Sequence, residues 1–318
     1  MIIDFLNSHS IFYGVNVSLK TKTWIKTGGV AALWIMPRSL QQLIDITLFL
    51  YKNRLSFEIV GNMSNLYFYD SYHPEIVIST LKLCNYRETA TSIECECGTN
   101  VAKLSRYCVE NGVSGFYGLV NLPGTVAAAV YNNAGCYNCS VADRLETVKF
   151  LSFDEGGKII SLNKEQLKFT HRSSALKKKE LHGIILSVQL KKEKAIQETE
   201  RKKAEIVAQR RKQTQEAPQK NLGSIYSNLK YKKNIRNILA RTVKIISRYL
   251  HIGNNGILPY KKIQLFFYGF QYLDQYISDK NINTFIWKDN NATEMFTHYQ
   301  TFMNKIYDSP TLEIEIKK

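Results

Sequence analysis

Five stretches of this 318-residue chain combine residue types and spacings suited to chemistry. Gly61-Asn62-Met63-Ser64-Asn65 follows an apolar run that ends at Val60. Small and polar residues there suit a tight turn whose backbone N–H groups can bind phosphate oxygens. Taken alone, the stretch reads equally as a plain turn. Leu122-Pro123-Gly124-Thr125-Val126-Ala127-Ala128-Ala129 joins a forced turn to residues small enough for a backbone or a flat ligand to come close. Asn132-Asn133-Ala134-Gly135 continues that pattern. The other reading of this stretch is a tightly packed helix start. Phe169-Thr170-His171-Arg172-Ser173-Ser174 sets an Arg among hydroxyls. Such an Arg can clamp a carboxylate through a forked ion pair, or simply carry a surface charge. Asn221 to Asn228 is a polar loop with Gly223 and Ser224 inside it. Leu312-Glu313-Ile314-Glu315-Ile316 reads as a short closing strand, with the two-residue period putting both acids on one face.

The elements around these stretches read as strands alternating with helices. Ala32 to Ile35, Phe57 to Val60 and Ile76 to Ile78 have strand character, and a helix opens at Pro37-Arg38-Ser39, with Ser39 and Gln42 spaced as a capping box. Leu40, Leu43, Ile44 and Phe49 supply its apolar side. In the next block, Thr91 to Glu96 reads as a strand and Val101 to Val109 as a helix capped by Asn100. Val148 to Phe153 and Ile184 to Leu190 return to strand pattern, and Asp154-Glu155-Gly156-Gly157 is a hairpin turn between Leu151 and Ile159. From Lys191 to Gln215 charge dominates, and Glu198 with Lys202 suits one solvated helix. Ile235 to Leu250 and Thr293 to Ile306 have helical periodicity.

Composition bounds the class. The length suggests two or three subdomains. A hydrophobic fraction of 44% is ample for buried cores. The formal charge of +16 points to an anionic partner: nucleic acid, an acidic membrane surface or phosphorylated small molecules. No apolar run is long enough to span a bilayer, and the start of the chain lacks a basic segment of signal-peptide type. Cys95 with Cys97, and Cys136 with Cys139, have the spacing of zinc-ligand pairs, but no His accompanies either. Reduced thiols and no metal are expected.

The order of the five stretches resembles that of the bacterial UDP-N-acetylenolpyruvoylglucosamine reductases. Thr23 to Ala31 is similar to that family's N-terminal signature, Gly61 to Asn65 to its flavin loop, and Leu122 to Tyr137 to its Pro-Gly-Thr and Asn-Ala-Gly segment. Phe169 to Ser174 is similar to its Arg motif, Gly223 to Asn228 to its Gly-Ser motif, and Asn291 to Thr293 with Leu312 to Ile316 to its C-terminal motifs. The resemblance implies an α+β fold: a two-part FAD-binding domain of the vanillyl-alcohol-oxidase type and a smaller α+β substrate-binding domain. The corresponding boundaries are 1–81, 82–192 and 193–318, with the end strand 311–316 returning to the active site.

The resemblance also implies roles. Gly61, Asn62, Met63, Ser64 and Asn65 would hold the pyrophosphate of non-covalently bound FAD. Pro123, Gly124, Thr125, Asn133, Ala134 and Gly135 would line the flavin. NADPH would be the reductant of a UDP-sugar enolpyruvate, and UDP-N-acetylmuramate the product, in peptidoglycan precursor synthesis. Arg172 and a protonated Glu315 would act on the substrate carboxylate, Ser224 would donate a proton, and Asn228 would contact substrate. Glu313 remains the alternative to Glu315. A cytoplasmic monomer is expected, with no nucleic-acid or membrane partner. Seven residues depart from the pattern: Met63, Ala127, Ala128 and Asn138 stand where the family has Gly, His171 where it has Tyr, Ser227 where it has Lys and Leu229 where it has Pro. If position 63 requires a left-handed backbone, Met costs about 1 kcal/mol there. A non-catalytic binding relative and a different flavin oxidoreductase of the same fold are the alternatives.

Overall fold

Val30–Met36 and Ile76–Ser79 are nearly continuous runs of apolar residues, the pattern of strands covered on both faces. They pair in parallel in the middle of a four-stranded sheet. Phe12–Ser18 pairs antiparallel on one side and Glu58–Val60 parallel on the other. The protein is described here from a computed structural model covering residues 1–217 and 220–318. Its backbone divides into two compact units. The first comprises Met1–Ser18, Val30–Met63 and His73–Ala208; the second comprises Leu19–Gly29, Ser64–Tyr72 and Gln209–Lys318.

In the first unit the helix Leu40–Lys52 joins two strands of the four-stranded sheet and buries Leu43, Ile46 and Leu50 completely. Each of these side chains contributes roughly 1.5–3 kcal/mol by leaving water. Ser39 Oγ accepts the Gln42 N–H at 3.1 Å, as its spacing predicts. The Gln42 side chain does not complete the capping box on Ser39. It accepts from Arg38 N–H at 2.8 Å instead and donates to the His9 and Ser10 carbonyls. A second sheet of five strands is antiparallel throughout, in the order Lys158–Asn163, Leu145–Ser152, Gly183–Lys191, Ser92–Glu96, Tyr86–Glu88. Leu151 pairs with Ile159 across the expected hairpin turn. Asn100 caps the helix Val101–Glu110 by accepting from Lys103 N–H at 2.9 Å.

Gly98 ties the two sheets of this unit together. Its N–H donates to Leu83 O at 2.8 Å, and a Cβ at this position would sit 1.9 Å from the Thr80 carbonyl oxygen. Only a residue without a side chain allows that approach. Thr80 N–H in turn bonds Val60 O, next to Gly61, while Asn100 bridges to Thr125.

The second unit has an aromatic core. Tyr67, Phe285, Trp287, Phe296, Tyr299 and Phe302 are buried together, and Tyr67 packs 5.0 Å from Phe296 and 5.3 Å from Trp287 between ring centres. Burial pushes the Tyr67 phenol up to about 12 and that of Tyr299 well above its ordinary value, so both stay neutral. The helices Ile235–Tyr249, Gly253–Tyr268 and Ala292–Ile306 frame this core. The expected closing strand is divided. Thr311–Leu312 pairs antiparallel with Tyr226–Ser227, and Glu315–Lys317 pairs parallel with Leu66–Phe68. The two pieces serve different partners, and Ile314 between them is buried at 4% exposure. Glu313 and Glu315 therefore do not share the face of one continuous strand.

The charged helix forms over Gln197–Thr214, with Glu198 and Lys202 3.4 Å apart as the expected pair. Gly98→Ala should destabilise the fold by about 1–3 kcal/mol, through overpacking against backbone that cannot rotate away. A urea midpoint unchanged from the parent would contradict the tight approach of Gly98 to Thr80.

Candidate active site

The strand Glu58–Val60 delivers Gly61 to the side of Thr125. A Cβ on Gly61 would lie 2.6 Å from Thr125 Oγ1, so the two turns meet backbone against side chain. Thr125 is buried and caps the short helix Val126–Tyr131, with its Oγ1 accepting the Ala128 N–H at 3.4 Å. The helix-start reading of this stretch is therefore correct as geometry. The first N–H groups of that helix are already taken: Val126 donates to Thr99 O and Ala127 to Cys97 O. Among the described residues, none of the N–H groups of Gly61, Asn62, Met63, Gly124 and Thr125 donates to a backbone carbonyl. Pro123 stands half-buried before them.

Met63 has φ +53 and is 4% exposed. The position does adopt the left-handed backbone that favours glycine. Burial of the thioether side chain offsets that cost, since burying a Met contributes about 1.5–3 kcal/mol and the left-handed backbone costs about 1–2 kcal/mol. The loop keeps its place against Thr125 despite the substitution.

The short helix runs into Asn132-Asn133-Ala134-Gly135, and the Arg segment is laced onto that turn. Asn133 Nδ2 donates to Thr170 O at 2.7 Å, and Arg172 Nη1 donates to Gly135 O at 2.7 Å. Ser174 Oγ donates to Tyr131 O at 2.6 Å, and Lys177 Nζ donates to Asn132 Oδ1 at 2.7 Å. The sequence presents these as separate loops; the lacing turns them into one block. Asn133, Tyr137, Asn138 and Arg172 all have φ between 45 and 60 degrees. Asn tolerates that conformation, which explains why Asn138 can replace a glycine. The concentration of left-handed residues costs free energy that neighbouring hydrogen bonds must offset, as at many functional sites. His171 is exposed.

The remaining expected site residues lie in the second unit. Asn65 Nδ2 donates to Glu313 O at 3.2 Å, and Asn65 O accepts the Glu315 N–H at 3.0 Å. Ser64 precedes it, half-buried. Glu313 N–H donates to Ile225 O at 2.9 Å, one residue after Ser224. The Ser64–Tyr72 segment, the Ser224 loop and the C-terminal residues are thus joined by backbone hydrogen bonds. Gly223, with φ +74, turns the chain into Ser224, and Asn228 is exposed with φ +54. The sequence offers no signal for the Leu66–Phe68 strand that receives Glu315–Lys317.

The chemistry of the first-unit turns fits a dinucleotide cofactor. Donors that have no backbone acceptor among the described residues suit pyrophosphate oxygens, and Gly61 leaves no room for a side chain beside Thr125. The cysteines offer nothing comparable. Burial pushes the thiols of Cys95 and Cys97 up to about 12, so both stay protonated. Cys136 Sγ donates to Gly118 O at 2.9 Å. Among the described residues no cluster of His, Cys, Asp and Glu is arranged to hold a metal ion.

Residues 31–163 match the FAD binding domain family. The UDP-N-acetylenolpyruvoylglucosamine reductase of Caldicellulosiruptor saccharolyticus is 33% identical over 210 residues, 65% of this chain and 66% of that one. The reductase of the same name from Caldanaerobacter subterraneus subsp. tengcongensis is 30% identical over 212 residues, 67% of this chain and 69% of that one. The crystal structure of UDP-N-acetylenolpyruvylglucosamine reductase from Thermus caldophilus superposes with a TM-score of 0.69 at 22% identity, covering 97% of this chain and 99% of that one. At that identity the structural likeness shows the fold, and the sequence relatives show the lineage. With an FAD-binding domain matched over residues 31–163 and relatives of this name at 30% identity or more, this chain belongs to the UDP-N-acetylenolpyruvoylglucosamine reductase family of FAD-dependent oxidoreductases.

Proposed function

We propose that this protein reduces the enolpyruvyl ether of UDP-N-acetylglucosamine enolpyruvate to UDP-N-acetylmuramate, with NADPH as reductant, acting as a monomer in the cytoplasm. The observation that supports this reading is the meeting of Gly61 with Thr125, which brings together two distant turns whose N–H groups, among the described residues, have no backbone acceptor. Gly61, Asn62, Met63, Ser64 and Asn65 hold the FAD pyrophosphate, and Pro123, Gly124, Thr125, Asn133, Ala134 and Gly135 line the flavin. When bound, FAD carries hydride between NADPH and the enol-ether carbon.

The residues of the chain supply positioning and charge. Arg172 stabilises the negative charge that spreads onto the substrate carboxylate as the enolate-like intermediate forms on the substrate. Its tether to Gly135 O fixes the guanidinium in advance, so little reorganisation is needed at the moment of reaction. Glu315, anchored through its amide to Asn65 O, is the second residue assigned to the substrate carboxylate. Ser224 protonates the carbon next to the reduced one. Asn228 contacts the substrate. The diphosphate of the UDP-sugar and the phosphates of NADPH are drawn by the net charge of +16.

Ser224→Ala should leave bleaching of the flavin by NADPH near the parent rate. Return of the colour with the enolpyruvyl sugar nucleotide should slow by roughly 100- to 10,000-fold, the size of a lost general acid. Stopped-flow absorbance separates the two halves; equal loss in both would remove Ser224 from the proposed role. Arg172→Lys should lower kcat/KM for the sugar nucleotide by about 10- to 100-fold, the equivalent of one charge-assisted hydrogen bond. Unchanged kcat/KM in steady-state assays would contradict the carboxylate clamp.

A further inference from the structure

The helix Ile235–Tyr249 faces the wrong way for a core-forming element. The side it buries carries Asn237, Ala240 and Ser247, while Ile235, Ile238, Leu239, Ile245, Ile246 and Tyr249 face solvent. Ile235 and Ile245 are each 66% exposed and Tyr249 is 84% exposed. At 3.6 residues per turn these side chains form one continuous apolar stripe. Leu250 and Ile252 extend it.

The orientation is fixed by specific contacts. Asn237, 1% exposed, donates through Nδ2 to Lys232 O and Ile306 O, each at 2.9 Å. Its Oδ1 accepts from Gln264 Nε2 at 3.1 Å and from the Tyr268 hydroxyl at 3.2 Å. Arg241 lies 4.8 Å from the centre of the Tyr231 ring, and Lys244 lies 5.0 Å from that of Tyr260. Rotating the helix to bury its isoleucines would break this buried polar network and both cation–ring contacts. The fold therefore holds the apolar stripe outward.

Charge identifies what the stripe meets. Between Lys230 and Ile252 the chain has seven Lys and Arg residues and no Asp or Glu. Arg236 borders the stripe on one side, and Arg241 and Arg248 border it on the other. A second copy of the same face would set these cations against their own kind. We infer that this helix docks the protein, reversibly and lying in the plane, on an anionic lipid bilayer surface. A high apolar contrast and basic flanks are the attributes of interfacial helices, and a cluster of this size suits anionic headgroups. The helix has 15 residues and does not cross the bilayer; no helix among the described residues is long and apolar enough to do so. Peripheral attachment of this kind is independent of the reaction proposed above.

The test is co-sedimentation of the full chain with vesicles of phosphatidylcholine mixed with phosphatidylglycerol, and with vesicles of phosphatidylcholine alone. Binding is expected to the mixed vesicles only. It should fall steeply in about 1 M salt, where charges are screened beyond about 3 Å. Arg248→Gln should weaken partition about fivefold, the share of one basic residue near an anionic surface. The double variant Ile245→Asp, Ile246→Asp should abolish binding. Both positions are exposed, so the parent melting temperature should be kept, and flavin bleaching by NADPH should be untouched. Binding equal on both vesicle types, or unaffected by the double variant, would overturn the proposal. So would a concentration-dependent dimer, or capture of an acidic protein, that the double variant abolishes while the vesicles bind nothing.

Discussion

The first unit depends on backbone meeting backbone where side chains are excluded. Thr80 bonds Val60, Gly98 presses against the Thr80 carbonyl, Asn100 bridges to Thr125, and Thr125 returns to Gly61. This closed circuit joins the end of the four-stranded sheet to the start of the helix Val101–Glu110. Its two glycine positions leave no room for a Cβ, Gly98 against the Thr80 carbonyl and Gly61 against the Thr125 side chain. N–H groups left without a backbone acceptor among the described residues have a cost in isolation, which the proposed anionic cofactor would offset.

Much of this arrangement was legible in the sequence, for reasons that differ by element. Strands such as Ile76–Ser79 declare themselves because a doubly covered strand must be apolar along its whole length. Asn100 and Ser39 were readable as caps because a side-chain oxygen there satisfies an N–H that the helix cannot. The two glycine turns were legible as turns, and their meeting followed from the family resemblance alone, since adjacency of distant segments leaves no periodic trace. The lacing of Arg172 to Gly135 was hidden for the same reason. The closing strand reads as continuous because alternation alone cannot reveal that Thr311–Leu312 and Glu315–Lys317 pair with different segments. The helix at Ile235 was seen as a helix, yet its inverted facing was invisible: periodicity marks an apolar stripe without saying which way it points.

The positive charge takes on a second meaning once the fold is known. Read from composition, +16 suits nucleotide phosphates. In the structure, a block of it lies around the Ile235–Tyr249 helix, in a stretch with no compensating acids. The buried Asn237 network accounts for that orientation better than the exposed residues do, because a polar group with several buried partners is costly to displace. Met63 shows the same balance on a smaller scale: an unfavourable backbone conformation is retained where its side chain is buried.

The account rests on the capacity of the Gly61 and Thr125 turns to hold a flavin dinucleotide together. The most direct measurement is the visible absorbance of the purified chain after incubation with FAD and removal of free cofactor. The account predicts a retained flavin spectrum at close to one FAD per chain. A folded protein that emerges colourless, and stays so at any FAD concentration, would contradict it.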